Sequence, residues 1–365
     1  MGYVAVTGGQ RAIEKANQLV DQYRLQDAEK ALETNEIQSQ LRLLIDRVMG
    51  EGGLYAPEYA AIALKQAEGD PAEAAFLLRA YRSTLPRNYY SRLIEPGDMR
   101  VIRRISSSFK DIPGGQMLGP TYDYTHRLLN FDMRNEKGAV KEFLERLGLG
   151  EKEIENASSS GKFQKVIDLL REQGLMAERT SDDQIPFDIT RDKLNFPTTR
   201  SARLQLLSRG ETGAMTALAY SSMRGYGAVH PTIGELRVGY LEVHIPYPLD
   251  DDDSIYIGEI LTTEVETINS FTQNDQDDVE FMLGYGMTFG QNEVKAIAMA
   301  ILERSLETSG SSPTQDEEFV LLHIDSVEAN GFVSHLKLPH YTTFQSMLDR
   351  IRTAQKEQEK IEVKS

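Results

Sequence analysis

Residues 234–247 (GELRVGYLEVHIPY) and 255–269 (IYIGEILTTEVETIN) decide the fold class. Apolar and polar residues alternate along both stretches, and β-branched residues are frequent, which indicates two β-strands. Four consecutive aspartates at 250–253 lie between them and predict a turn. Residues 280–290 (EFMLGYGMTFG) follow as a third strand candidate. The sequence therefore predicts a sheet in the second half of the chain.

Helical patterns surround this sheet. Before it we predict helices at about 10–30, 37–49, 57–68, 71–82 and 203–222, and after it at about 291–308 and from Thr343 onward. A short strand is predicted at 3–9 (YVAVTGG) and another around 101–112. Strands and helices are segregated more than alternated, which predicts an α+β fold.

Changes in residue composition along the chain predict three regions. Residues 1–133 form a mostly helical region that ends in a Gly-rich loop, and residues 134–200 are polar and uneven, typical of a peripheral insertion. Residues 201–365 form the α+β region that carries a pair of histidines.

Composition excludes several classes of function. None of the 365 residues is a cysteine, which excludes disulfides, a thiol nucleophile and an iron–sulfur cluster held by this chain alone. The net charge of −16 argues against nucleic-acid binding, which needs a cationic surface. We find no apolar run long enough for a membrane span and no secretory signal, so we expect a cytoplasmic protein.

The segment 334–341 (SHLKLPHY) holds the candidate metal ligands, His335 and His340. The two imidazoles are five residues apart, and Pro339 favours an extended approach to the second. Two ligands leave a metal under-coordinated, so others must come from His323, a carboxylate, solvent or another subunit. The same spacing also fits two ordinary histidines that hydrogen-bond the main chain.

A glycine-rich loop at 112–120 (IPGGQMLGP) precedes the segment 121–127 (TYDYTHR). Successive glycines let main-chain N–H groups approach phosphate oxygens, although a plain turn explains them equally well. Neither the mononucleotide nor the dinucleotide fingerprint is present. Basic and aromatic side chains are nearby, and the candidate substrate-binding residues are Arg104, Lys110, Gly114, Gly115, Gln116, Tyr122, Arg127 and Arg224.

Asp123 and His126, three residues apart, are candidates for acid–base work, because an imidazole titrates near neutral pH. A structural carboxylate–imidazole pair fits the same spacing. Arg224 begins the run RGYG, which His230 follows, and combines a fixed charge with an aromatic face for stacking. Glu264 lies on a predicted strand and is a third carboxyl candidate.

Several segments together resemble one family, the I subunit (PhnI) of the bacterial carbon–phosphorus lyase complex. The resemblance is carried by RRISSSFKDIPGGQMLGPTYDYTHRLLNF at 103–131 and QDEEFVLLHIDSVEANGFVSHLKLPHYTTF at 315–344. Shorter segments at 3–13, 47–54, 63–85, 217–240 and 284–300 follow the expected order.

This resemblance implies a concrete activity. Acting with the G, H and L subunits, the family's I subunit displaces adenine from MgATP with an alkylphosphonate, giving ribose 1-methylphosphonate 5-triphosphate. By itself it behaves as a purine nucleosidase. The J and K subunits are further implied partners, and the implied cofactors are Zn²⁺, held by His335 and His340 near the J subunit, and Mg²⁺ bound with ATP.

Breaking an N-glycosidic bond develops positive charge on the sugar and negative charge on the base. From residue type alone we assign Asp123 and His126 to these two charges, with Glu264 as the reserve carboxylate. Two other functions remain open from the sequence: a scaffold subunit whose histidines complete a site shared with J, and a metal-dependent hydrolase.

Overall fold

The computed structural model describes residues 9–136, 138–147, 163–177, 185–226, 231–273 and 278–362. The chain divides into two compact units, Leu32–Asp325 and a second made of Met1–Ala31 with Ser326–Ser365. Residues 3–8 of the strand predicted at 3–9 and His230 lie outside the described residues. The boundaries predicted at residues 133 and 200 stay predictions.

The larger unit contains an antiparallel sheet. Its strands are β1 Arg100–Ile105, β2 Thr232–Tyr247, β3 Asp250–Gln273 and β4 Val279–Phe289, and each pairs with the next in chain order. The turn predicted at 250–253 is wrong, because β3 already begins at Asp250 and the chain reverses at residues 248–249. Two residues suffice for such a hairpin.

Helices complete the α+β fold that the sequence predicted. They are α1 Gln10–Leu25, α2 Thr34–Gln40, α3 Arg42–Gly52, α4 Pro57–Gln66, α5 Pro71–Thr84, α6 Ala139–Leu147, α7 Val166–Glu172, α8 Arg200–Arg209, α9 Thr212–Ser221, α10 Glu293–Leu306, α11 Glu317–His323, α12 Ser326–Ser334 and α13 Tyr341–Glu362.

Two predicted helices are each divided into two. The stretch 37–49 breaks at Leu41, whose main chain leaves the helical region at φ −112° and ψ 38°. The stretch 203–222 breaks at Gly210, where the main chain is extended. The apolar stripe of the first stretch continues through Leu41, so that break was not visible in it. The second stretch contains Gly210 and Gly213, a helix-stop signal that the prediction did not use.

Helix α10 packs closely on strand β4, and this packing fixes the position of the helix's first turn. A Cβ placed on Gly286 of β4 would stand 2.1 Å from the carbonyl oxygen of Ala296 on α10, so only glycine allows this approach. Ala296 and Ala300 join Val238 and Val265 of the sheet in one apolar core. The residues just before and within the first turn of α10 are thereby held beside the sheet.

The N-terminal helices of the larger unit form a separate core. Ile45 and Val48 of α3 pack with Ala60 and Leu64 of α4 and Leu78 of α5. Burial of this face leaves the opposite side of α3, with its arginines, open to a cleft. Among the described helices, none combines the length and the apolarity that crossing a membrane requires.

Candidate functional site: a cleft at the start of α10

A large cleft in the unit Leu32–Asp325 is bounded by the start of α3, the loop 120–133 and residues 291–295. Its volume is about 1170 Å³, whereas small-molecule sites measure roughly 300–1,000 Å³. Its polar lining includes Arg42, Arg47, Tyr122, Asp123, His126, Arg127, Thr212, Gln291, Glu293 and Lys295.

Asp123 is held in the wall of this cleft by arginines. Arg103, fully buried on β1, donates to Oδ2 of Asp123 at 2.5 Å, and its Nε lies 3.0 Å from Oε1 of Glu293. Arg127 lies 3.5 Å from Oδ1 of Asp123. The Asp123 side chain remains 44% exposed, so the carboxylate faces the cleft while its position is fixed from behind. The predicted pairing with His126 is replaced by these arginines, although both residues line the cleft.

Gln291, just before α10, connects the walls of the cleft. It accepts a hydrogen bond from Arg42 at 2.6 Å and donates to the carbonyl oxygen of Pro120 at 2.9 Å. Its main-chain N–H donates to Asp46 at 3.0 Å. Burial raises the pKa of the Asp46 carboxyl, and the N–H of Gln291 and the charge of Arg42 partly oppose the rise. Gln291 therefore positions α3 and the 120–133 loop around α10 through its side-chain amide and its main-chain N–H.

Arg47 is the second cation that α3 contributes. Its guanidinium contacts Glu51 at 2.9 Å and Glu211 at 2.5 Å. Thr212 donates to the same oxygen of Glu51 from its main-chain N–H at 3.1 Å and from its hydroxyl at 2.9 Å. These contacts fix the guanidinium at the rim of the cleft.

Lys295 lies in the first turn of α10 and is fully buried. Its ammonium has no hydrogen-bond acceptor among the residues that the structure describes. Burial lowers the pKa of Lys295 to about 8, although the charge of Glu51 opposes this. An ammonium without an acceptor in such a place is costly, because few groups there replace the water it has lost.

Glu264, the reserve carboxylate, lies elsewhere, in a buried network on the sheet. It accepts from Arg237 Nε at 2.9 Å, from Lys165 at 3.0 Å and from the Tyr285 hydroxyl at 3.1 Å. Burial raises the pKa of Glu264, but the charges of Arg237 and Lys165 outweigh it and hold the pKa below its ordinary value. Glu266 shares Lys165 at 2.6 Å, and burial raises the pKa of Glu266 to about 7.

Arg104 and the glycine-rich loop also lie outside the cleft lining. Arg104 is buried, pairs with Glu235, and donates to the carbonyl oxygens of Pro113 and, at 2.9 Å, Gln164. A Cβ on Gly114 would stand 2.0 Å from the ring of Phe163, so this glycine makes room for an aromatic side chain. In this structure the loop is organised by packing and by a structural arginine.

The other predicted substrate-binding residues divide between the cleft and the surface. Gln116 donates from its side chain to the carbonyl oxygens of Phe109, at 3.2 Å, and Lys110, at 3.0 Å, which closes the loop on itself. The side chain of Lys110 is exposed and Arg224 stacks on Tyr220, and neither lines the cleft. Gly115 has a positive φ of 78° in open space. The structure therefore brings together Tyr122, Asp123, His126 and Arg127 of the predicted set.

The two histidines of the smaller unit, His335 and His340, lie close to each other. Their ring centroids are 5.3 Å apart. Nδ1 of His335 contacts the carbonyl oxygen of Phe332, and Nδ1 of His340 contacts that of Leu338 at 2.6 Å. A carbonyl oxygen can only accept, so each Nδ1 donates in these contacts, and Nε2 is the ring atom left to face a metal. No cluster of three or more His, Cys, Asp or Glu side chains suited to a metal occurs within the described ranges.

The sequence analysis missed Arg42, Arg47, Gln291 and Lys295. A signal existed for Lys295, because it directly precedes the run AIAMAIL at 296–302, in which nearly every side chain is buried. Ala298, Met299 and Leu302 share the helix face of Lys295 at i+3, i+4 and i+7, and all three are apolar, which predicts that this face is buried. The arginines lie on a separate helix, and nothing in the local sequence relates them to residues 120–133.

The description bacterial phosphonate metabolism protein (PhnI) belongs to a family model that matches residues 2–358. Three curated proteins are similar to the chain over nearly its whole length. A putative C-P lyase subunit protein, HtxH, of Stutzerimonas stutzeri is 51% identical, covering 97% of this chain and 96% of its own. The alpha-D-ribose 1-methylphosphonate 5-triphosphate synthase subunit PhnI of Escherichia coli (strain K12) is 46% identical, with coverages of 98% and 99%. The subunit of the same name from Rhizobium meliloti (strain 1021) is 42% identical, with coverages of 97% and 95%.

Proposed function

This chain belongs to the PhnI family of bacterial phosphonate metabolism proteins, and we propose that it houses the glycosyl-transfer site of a carbon–phosphorus lyase complex. In this proposal adenine of MgATP is displaced at ribose C1 by an alkylphosphonate, which gives ribose 1-methylphosphonate 5-triphosphate. The enzyme is then a transferase subunit, with purine nucleosidase activity when water replaces the phosphonate. Its relatives from E. coli and R. meliloti carry the name of that synthase.

The cations of the cleft are the observation that carries the proposal. Four line it, Arg42, Arg47, Arg127 and Lys295. Arg47 is paired with Glu51 and Glu211, and Arg127 with Asp123. In a chain with a net charge of −16, four cations around one cleft are a local concentration of positive groups that suits a polyanion. The exposed ring of Tyr122 offers a stacking face for a purine at the same cleft.

The residues of the loop suit the two charges that the reaction develops. As the bond between ribose C1 and the purine breaks, its electron pair leaves with adenine and positive charge develops on the sugar. The Asp123 carboxylate, held from behind by Arg103, would stabilise that sugar. His126 would give a proton to the departing base, and an oxygen of the phosphonate or of water then bonds to C1.

Metal ions enter the proposal in two places. Mg²⁺ would arrive with ATP, as part of the substrate. Zn²⁺ would bind Nε2 of His335 and His340, and the geometry of both rings fits this role. When bound, zinc supplies a Lewis acid or a structural link. The remaining ligands would come from solvent or from the J subunit.

The second candidate is a scaffold subunit, and exposed apolar side chains favour it. Leu128 and Leu129 are 82% and 83% exposed at the cleft, and Phe131 and Met133 follow in the same loop. Apolar side chains exposed together are typical of a protein–protein interface. We propose the G, H, J, K and L subunits as partners, in the cytoplasm, where ATP is available.

Adenine release from MgATP by the full-length chain tests the proposal and separates the two candidates. Asp123→Asn keeps the size of the side chain and removes its charge, so we expect release to fall by roughly a hundredfold or more. His335→Ala is the comparison variant and should retain release, because it changes the histidine pair alone. Absence of release from a folded wild-type chain that binds ATP would favour the scaffold.

A further inference from the structure

Glu293 is a second carboxylate of the large cleft, and the proposed reaction leaves it without a role. It is the first residue of α10 and lines the cleft together with Asp123. Its side chain is 18% exposed, so molecules in the cleft can reach it. The close packing of Gly286 on Ala296 holds this end of the helix beside the sheet. Glu293 therefore enters the cleft from a firmly positioned helix start.

One oxygen of the Glu293 carboxylate is held by neighbouring side chains. Gln291 donates from Nε2 to Oε1 of Glu293 at 2.8 Å. Nε of Arg103 lies 3.0 Å from the same oxygen, but without the direction of a hydrogen bond. Among the residues that the structure describes, none donates to the other oxygen, Oε2. The carboxylate is thus fixed through Oε1, and Oε2 is available to accept from a molecule in the cleft.

Arg103 brings the two carboxylates of the cleft together. It is fully buried on β1, and its Nη2 donates to Oδ2 of Asp123 at 2.5 Å. Asp123 reaches this guanidinium from the loop 120–133, whereas Glu293 reaches it from the start of α10. A guanidinium carries a single positive charge, and the contact with Asp123 is the shorter one and a directed hydrogen bond. Arg103 therefore has a counter-ion without Glu293.

The two nucleophiles of the proposed reaction differ by one proton. A phosphonate oxygen carries negative charge at neutral pH and can bond to ribose C1 directly. Water has to lose a proton as its oxygen bonds to C1, and a carboxylate in reach can accept that proton. Inverting glycosidases use one carboxylate for this task and a different group to protonate the leaving group. Hydrolysis of the N-glycosidic bond therefore needs a base that transfer to a phosphonate does not need.

We propose that Glu293 is the general base that activates water in the cleft, and that an anionic nucleophile reacts without it. The water oxygen bonds to ribose C1, and its proton goes to Oε2 of Glu293. The bond between C1 and the purine breaks, its electron pair leaves with adenine, and adenine takes a proton from His126. The inference rests on the proposed function, because it assigns the proton of the nucleophile in the same cleft.

A purely structural use of Glu293 is the alternative. An acidic residue at the start of a helix interacts favourably with the helix dipole, and Glu293 also lies beside Arg103. Glu293→Gln removes the charge and keeps the size of the side chain and an oxygen that Gln291 can reach. Glu73→Gln is the matched control, because Glu73 lies in the first turn of α5, is exposed and does not line the cleft.

Adenine release from MgATP by the full-length chain, with and without sodium azide, tests the proposal. Azide is an anionic nucleophile with no proton to lose. We expect Glu293→Gln to slow release in water by roughly a hundredfold or more, with a KM for MgATP near that of wild type. Azide should restore release, and mass spectrometry should detect ribosyl azide 5-triphosphate. Glu73→Gln should release adenine like wild type.

Asp123→Asn provides the contrast, because it removes a charge that acts on the sugar. Its release should stay slow when azide is present. Release by Glu293→Gln at the wild-type rate in water would overturn the inference. A slow release that azide does not restore would also overturn it, because this is the result that a structural counter-ion of Arg103 predicts.

The wild-type chain tests the proposed function separately. If wild type and Glu293→Gln release adenine equally fast, the inference fails and the function stands. If wild type releases adenine with azide but none in water, the glycosyl-transfer site stands and Glu293 does not activate water. If wild type releases no adenine in either condition, both the proposed function and the inference fail.

Discussion

The sheet and the cleft both bury charged side chains, but they differ in how those charges are paired among the described residues. On the sheet, Glu264 receives three donors and Arg104 lies against Glu235. In the cleft, the ammonium of Lys295 is equally buried and has no acceptor in the described residues. The two regions lie in the same compact unit, so the contrast is not one between core and surface.

The difference separates a structural use of charge from a binding use. A buried ion pair is complete in the free protein, so removing one partner leaves the other uncompensated. A buried charge without a partner makes the free protein less stable, and a ligand of opposite sign can supply what is missing. Substitutions in the two regions should therefore change stability in opposite directions.

Arg104→Met should have the largest effect. It leaves the buried carboxylate of Glu235 without its guanidinium, and breaking such a pair costs about 3–5 kcal/mol in the free energy of unfolding. Urea unfolding measures the loss. Arg100→Met is the control on the same strand, because its pair with Glu259 is partly exposed and worth about 1 kcal/mol or less. Equal losses in the two variants would contradict the structural role of Arg104.

Lys295→Met should stabilise the chain at neutral pH, by up to about 3 kcal/mol. The pKa of Lys295 is about 8 in the folded chain and 10.5 ordinarily, so between these values the unfolded chain binds more protons. Wild-type stability therefore gains from this group as pH rises from about 8 to 10.5, and the whole cost is present below pH 8.

Urea unfolding at pH 7 and pH 10 compares Lys295→Met with wild type. We expect the variant's advantage to shrink at pH 10, where the wild-type lysine is mostly neutral in the folded chain. A variant that is less stable than wild type at pH 7 would show instead that Lys295 is the structural counter-ion of Glu51.

Glu266→Gln should change how the free energy of unfolding depends on pH. It should change the value in acid much less. The pKa of Glu266 is about 7 in the folded chain and 4.5 ordinarily, so the folded chain binds the extra proton between these values. That stabilisation is complete below about pH 4.5 and is lost as pH rises through 7, an effect of about 3 kcal/mol. Unfolding midpoints at pH 5, 6, 7 and 8 should fall less steeply in the variant. If the midpoints of the variant and the wild type fall in parallel with pH, Glu266 does not titrate in this range.

Arg127→Ala should have the smallest effect on stability, about 0.5 kcal/mol or less, because its pair with Asp123 is exposed. It should nevertheless weaken ATP binding severalfold, since its guanidinium lines the cleft. Lys110→Ala changes an equally exposed cation outside the cleft lining and should leave ATP affinity as it is. If Arg127→Ala binds ATP as tightly as Lys110→Ala, the result would contradict triphosphate binding in the cleft.

The fold class was predictable because it depends on local patterns. The alternation along β2 and β3 and the Pro residues that begin α4 and α5 are visible in the chain, and these elements lie where they were predicted. The breaks at Leu41 and Gly210 were not predicted. The apolar stripe continues through Leu41, so the sequence gives no local signal for that break. Gly210 and Gly213 are a local signal for the other, which the prediction passed over.

The cleft was only half predictable. Residues 122–127 are contiguous, so their shared location followed from the sequence. Arg42 reaches them through Gln291, 249 positions later, and a contact over such a distance leaves no local pattern. Arg104 shows the opposite error. A basic residue beside a glycine-rich loop suggested phosphate binding, whereas in the structure Arg104 is buried in the core and pairs with Glu235.

The pKa of Lys295, measured by NMR on the Cε and Nζ signals of the labelled full-length chain, tests the central contrast most directly. Lys295→Met assigns the signal by its disappearance. In the free chain we expect a pKa near 8, the value that burial gives to the unpaired ammonium. Saturation with ATP should raise it, because the negative charge of a triphosphate in the cleft that Lys295 lines favours the charged form. A pKa that does not move on saturation would contradict the account and place Lys295 with the structural charges of the sheet.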